Sequence, residues 1–164
     1  MTAKPAYRPS PARSVLALLA WLAVSFTAAA IGGLFPPGEW YAALRKPAWN
    51  PPGWLFGPVW AVLYIAMAIA AWLVWKRGGF SGQRMALSLF MTQLLLNALW
   101  SPVFFGLRNP ALALGNILLL WLALSGTIVA FWRARPIAGA MLVPYLAWVS
   151  FATALNFALW RLNS

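Results

Sequence analysis

Five long apolar runs dominate the chain, separated by short stretches rich in charge, proline or glycine. The first covers residues 15–34 without a single charge. At about 1.5 Å per helical residue it is long enough to cross a hydrocarbon core of about 30 Å. The same pattern predicts helices over 54–75, 85–105, 110–132 and 137–160. Lys76-Arg77-Gly78-Gly79 closes the second run, and Asn109-Pro110 offers an N-cap and first helical residue for the fourth. Arg133 and Arg135 before Pro136 mark a turn, Pro102 lies near the end of the third run, and Pro144 is expected to bend the fifth. None of these runs alternates with period two, and each is about twice the length a barrel strand needs. A rival reading takes the first run as a secretory signal with Ala28-Ala29-Ala30 as its cleavage site. Apolar signal cores usually run only about 7–15 residues, however. The pattern therefore predicts an all-α integral membrane protein, a bundle of five transmembrane helices over residues 14–164. The basic, proline-broken residues 1–13 are expected to be disordered.

Composition gives the same solvent and removes most chemistry. Of 164 residues, 63% are hydrophobic and 8% charged, and the mean hydropathy is +0.77. A soluble domain would carry roughly a quarter charged residues. The chain has no Cys and no His, which excludes disulfides, thiol chemistry, zinc sites and His-ligated haem, so no metal site is expected. Glu39 is the only acidic side chain, so paired-carboxylate catalysis and carboxylate proton relays are excluded. The net charge of +11 then speaks for topology and anionic lipid headgroups, not nucleic acid. Lys4, Arg8, Arg13, Lys76, Arg77, Arg84, Arg133 and Arg135 fall on the N-terminal side, against Arg45, Lys46, Arg108 and Arg161 on the other. The positive-inside rule puts the N-terminus in the cytoplasm and the loop of residues 35–53 outside.

That loop is the unusual part of the chain. Residues 40–64 hold four tryptophans, and Pro47, Pro51 and Pro52 describe a stiff, non-helical segment. Three helices beside it carry polar-aromatic stripes at helical spacing. They are Trp60, Tyr64, Met67 and Ala71 on the second, Gln93, Asn97, Trp100 and Phe104 on the third, and Tyr145, Trp148, Ala152 and Asn156 on the fifth. Any single amide can be interhelical glue and any single indole can fill volume. Three such stripes beside one Trp/Pro-rich loop suit a flat, mostly apolar ligand with a few hydrogen-bonding groups. Trp21, Trp72, Trp75, Trp121, Trp132 and Trp160 are expected to face lipid or mark the interfacial belts. Small residues suited to close helix approach occur as Ser25, Ala29 and Gly33 on the first helix and as Ala111 and Gly115 on the fourth.

The motifs resemble those of the TspO/MBR family, the tryptophan-rich sensory proteins and mitochondrial translocator proteins (peripheral benzodiazepine receptors). The match runs from Trp40-Tyr41 through Lys46-Pro47, Trp49, Pro51-Pro52 and Trp54 to Gly57-Pro58-Val59-Trp60 and Leu63-Tyr64. It continues with Gln93, Asn97, Trp100 and Phe104-Phe105-Gly106, and with Pro144-Tyr145-Leu146-Ala147-Trp148 and Leu155-Asn156. The resemblance implies a homodimer and a pocket beneath the first loop for porphyrins (tetrapyrroles such as protoporphyrin) and benzodiazepine-receptor ligands. It also implies light-dependent porphyrin degradation in bacterial members, with the two implicated tryptophans matching Trp60 and Trp148. The family's sterol motif needs a Tyr where this chain has Phe157.

The expected ligand-binding set is therefore Trp60, Tyr64, Gln93, Asn97, Trp100, Tyr145, Trp148 and Ala152 below the loop, with Trp40, Pro47 and Trp49 as its lid. No cofactor is required, and a metal-free porphyrin suits a chain without His or Cys better than haem does. The readings are a sensor-like binder, an enzyme that photo-oxidises the bound porphyrin through Trp60 and Trp148, or a transporter. Transport is the weakest, since the chain shows neither an internal repeat nor an acidic coupling site.

Overall fold

The computed structural model describes residues 9–164, and every regular element among them is helical. The expected disorder of residues 1–8 lies outside the described residues. Residues 11–13, however, already belong to the first helix, α1 (Pro11–Gly33). Ser10 caps it by accepting from the Arg13 N–H at 3.4 Å, and Pro11 occupies its first turn, where a missing N–H costs nothing.

The loop is less irregular than its prolines suggested. Residues 39–43, which precede them, form a short helix, α2 (Glu39–Ala43). A single 3₁₀ turn at Gly53–Leu55 then leads into α3 (Phe56–Trp75). After the one-turn α4 (Gly79–Gly82), α5 (Arg84–Ser101) runs to Pro102. Proline has no N–H to continue the α pattern, and the chain widens into a π turn over Pro102–Gly106, closed by Leu107 N–H donating to the Pro102 carbonyl at 2.9 Å. α6 (Pro110–Ala134) is capped by the Asn109 side chain, as expected. The fifth span is two helices, α7 (Pro136–Met141) and α8 (Val143–Asn163). The break at Leu142 lies just before Pro144, whose ring would collide with the carbonyl four residues back in an unbroken helix.

Five segments are long and apolar enough to cross a membrane: Pro11–Gly33, Gly53–Trp75, Arg84–Gly106, Pro110–Ala134 and Pro136–Asn163. They form a closed ring in which α1 packs on α3 and α5, α5 on α6, α6 on α7 and α8, and α7 on α3. α3 and α8 are the exception: their backbones approach closely at few positions if any, and they meet through side chains. The second and fifth spans thus touch at the α7 end and separate toward the loop.

One expectation about an individual side chain changes. Trp21 does not face lipid; it is only 8% exposed and sits edge-on to Phe90 at 5.6 Å. Trp72, half-buried near the end of its span, donates to the Ser14 carbonyl at 2.8 Å and has the Lys76 ammonium 4.2 Å over its ring, a position that fits the expected belt. On the small-residue stripes, Ser25 is fully buried and Ala29 packs on the core, whereas Gly33 at the end of α1 is exposed and a Cβ there would meet nothing within 4 Å. Ala111 and Gly115 on α6 stay exposed, and a Cβ at Gly115 would meet nothing within 4 Å.

The turn between the last two spans depends on Gly139. A Cβ there would lie 2.9 Å from both the Trp132 Cα and its backbone nitrogen, and backbone cannot step aside. Gly139→Ala should cost about 1–3 kcal/mol and lower the melting temperature in detergent.

Candidate functional site

The stripes on α3, α5 and α8 meet in the gap left between α3 and α8. Residues four apart on α3, Phe56, Trp60 and Tyr64, face Trp148 and Tyr145 of the oppositely directed α8. Phe56 meets Trp148 edge-on at 5.7 Å, and Trp60 meets Tyr145 at 6.0 Å and Tyr64 at 5.5 Å. Ring edges carry partial positive charge and ring faces negative, so the two edge-to-face pairs, Phe56–Trp148 and Trp60–Tyr145, are each worth about 0.5–1.5 kcal/mol beyond the area they bury, while the Trp60 and Tyr64 rings are only tilted. The gap is thus walled by aromatic surface rather than sealed by backbone contact.

One amide crosses its floor. The Asn97 Oδ1 accepts from the Tyr64 hydroxyl, and its Nδ2 donates to the Tyr145 hydroxyl at 2.8 Å. The side chain therefore joins the second, third and fifth spans, with Asn97 only 7% exposed. Gln93, one turn away, is fully buried; its Nε2 reaches the Met67 sulfur at 3.9 Å and its Oε1 has no partner. The Trp148 indole N–H, among the aromatic walls, is likewise buried without an acceptor.

Other expected site residues lie in a neighbouring cluster. The Trp100 ring stacks on Phe104 at 4.8 Å, and its N–H donates to Asn156 at 3.0 Å. Asn156 in turn donates to the Pro110 carbonyl, so this amide braces three spans instead of facing the gap. Trp40 sits edge-on to Phe104 at 5.8 Å, over the π turn. Trp49, 49% exposed, extends the aromatic wall from the loop through Phe151, which itself meets Trp148. Pro47 is half-buried and accepts from the Asn50 N–H, and Ala152 is half-buried on α8. Phe56 and Phe151 were legible as neighbours of Trp60 and Trp148 on the same helical faces.

The loop is held at two places. Tyr41 packs against Phe104 and Phe105 and donates to the Asn50 Oδ1 at 3.3 Å. Burial raises its pKa above the ordinary 10.0, against a smaller lowering from the Asn50 contact, so the hydroxyl stays a donor through the physiological range. Further along, the Asn163 side chain pairs with the backbone of Arg45, accepting from its N–H and donating to its carbonyl, both at 2.9 Å. Residues 118 apart in sequence are thereby clamped, and no local pattern announces it.

The sequence profile of the TspO/MBR family matches residues 15–161. The chain belongs to the TspO/MBR family. It is 46% identical over 138 residues to the human translocator protein, covering 81% of this chain and 82% of that protein. The tryptophan-rich sensory protein of Cereibacter sphaeroides is 45% identical over 145 residues, 88% of this chain and 90% of its own. The tryptophan-rich protein TspO of Archaeoglobus fulgidus is 42% identical over 153 residues, 92% and 96% respectively. These relatives come from a mammal, a bacterium and an archaeon. The TspO/MBR match embraces all five spans and both halves of the aromatic gap.

Two outcomes follow for this TspO/MBR site. Asn97→Leu strands two buried hydroxyls at once and should destabilise the bundle by about 1–3 kcal/mol, read as a lower melting temperature in detergent. Asn163→Ala should release the loop without unfolding the bundle. Amide exchange in residues 44–50 should then rise severalfold, while exchange in α5 and α6 stays at the parent rate.

Proposed function

We propose that the chain is a sensor-like membrane receptor that binds a flat, largely apolar tetrapyrrole between α3 and α8, beneath the loop of residues 35–53. The observation that carries this reading is the buried, unpartnered Trp148 N–H within an aromatic gap. An orphaned donor of this kind costs about 1–3 kcal/mol, and a ligand bearing an acceptor would recover it. Indole and phenyl walls supply π surface to a planar macrocycle, and the absence of His and Cys favours a metal-free porphyrin over haem. Benzodiazepine-receptor ligands, flat and sparingly polar, fit the same description. A homodimer belongs to this reading, and α6, whose Ala111 and Gly115 remain outward, is the better candidate for its contact. The cytoplasmic placement of the N-terminus rests on the Lys/Arg distribution, as does the outward placement of the loop.

A second reading, light-driven porphyrin oxidation, draws on the ring series that joins Trp60 to Tyr64 and Tyr145 and Trp148 to Phe56 and Phe151. Indole is the most readily oxidised of these rings, so it relays the electron: it reduces photo-activated dioxygen, and the indole radical so formed takes an electron from the macrocycle, which is thereby oxidised. Trp60→Phe and Trp148→Phe separate the two readings. Trp60→Phe should weaken protoporphyrin affinity by about 1 kcal/mol or less, and Trp148→Phe, which also loses the N–H that the ligand would satisfy, by about 1–3 kcal/mol, measured by fluorescence quenching. If the second reading holds, each should also sharply slow the loss of porphyrin absorbance under illumination. Parent protein that binds no protoporphyrin above the detergent background overturns the receptor reading. Parent protein that bleaches it no faster than micelles do overturns the enzymatic one.

A further inference from the structure

At the end of the bundle away from the loop, two grooves adjoin. The first, about 320 Å³, lies where α5 begins and α6 ends, with Ala86, Ala130 and Ala134 in its lining and Gln83, Arg84 and Arg133 beside them. Such short side chains leave a depression between two closely packed helices. The second, about 500 Å³, shares Arg84 and Met85 with the first and continues along α5 past Ser88, Leu89 and Thr92. The Thr92 hydroxyl donates back to the Ser88 carbonyl at 3.0 Å, so this continuation offers mainly hydrocarbon.

We propose that these grooves hold one anionic phospholipid, its phosphate between Arg84 and Arg133 and one acyl chain along the Met85–Leu89 face of α5. Arg84 is the first residue of the third span and Arg133 lies in the last turn of the fourth, so both sit at one membrane boundary. Neither guanidinium has a hydrogen-bond or ion-pair partner among the described residues. Guanidinium forks match phosphate oxygens in pairs, and basic pockets between spans are a recurrent way to seat acidic headgroups. Charge complementarity is not opposed locally, because Glu39, the one acidic side chain, lies in α2 at the loop end. An apolar groove leading directly from two arginines fits a lipid better than a free anion, which would have no use for it.

The test is native mass spectrometry of the full chain in detergent, with phosphatidylglycerol and phosphatidylcholine of equal chain length present together. The parent should retain phosphatidylglycerol in preference. A basic residue near a membrane surface contributes roughly a factor of five, so Arg84→Gln with Arg133→Gln should weaken retention about thirtyfold. Ala130→Leu, which fills the depression and keeps both charges, should weaken it too. The paired control, Arg77→Gln with Arg135→Gln, removes equal charge outside the grooves and should change little. Equal loss in that control would overturn the site in favour of diffuse charge, and so would equal retention of the two lipids. Displacement of the lipid by millimolar inorganic phosphate would reduce it to an ion site. Parent-like melting shows that a variant is folded; if the arginine pair fails that check, Ala130→Leu decides.

Discussion

A single amide, Asn97, accepts from one tyrosine and donates to another, and in doing so fixes the spacing of three spans. Inside a bilayer no water competes for these groups, and packing against hydrocarbon gives helices little reason to prefer one separation over another. α3 and α8 must be far enough apart to leave room for rings, yet close enough for Tyr64 and Tyr145 to reach the same side chain. The gap between them is therefore a specified distance. The chain supplies no formal charge there, so aromatic quadrupoles and a few dipoles carry the whole site.

The existence, number and order of the spans were legible because each apolar run is long and cleanly bounded, and caps such as Asn109 act locally. The inward faces of α3, α5 and α8 were legible too, since helical spacing is enough to align Trp60 with Tyr64 or Gln93 with Asn97. Which inward residues face the same space was not. Trp100 and Asn97 share one helical face, yet one braces Asn156 and the other bridges two tyrosines. That difference arises from which neighbouring helix each meets, and periodicity along one helix holds no such information. Trp21 escaped for the related reason that its composition suits an interface, whereas Phe90 from another span gives it an interior partner.

Proline acts differently at its several positions, and the differences shape the site. Pro102 widens the third span into a π turn and so delivers Phe104 and Phe105 to the loop residues Trp40 and Tyr41. Pro144, beside the break at Leu142, lets α7 stay against α3 while α8 leaves it. Without the first irregularity the loop would lose its platform. Without the second, the aromatic walls would close on one another.

The clamp between Arg45 and Asn163 has a consequence for how the molecule is made. Spans enter the membrane in the order of synthesis, and the loop after the first span emerges long before the end of the fifth exists. Its fastener is therefore missing during most of biogenesis, and one of the two helices flanking the aromatic gap is missing as well. A truncated or half-inserted chain has neither a second wall nor a latch. The ligand binding proposed for this gap therefore needs all five spans in place, and would report on complete insertion.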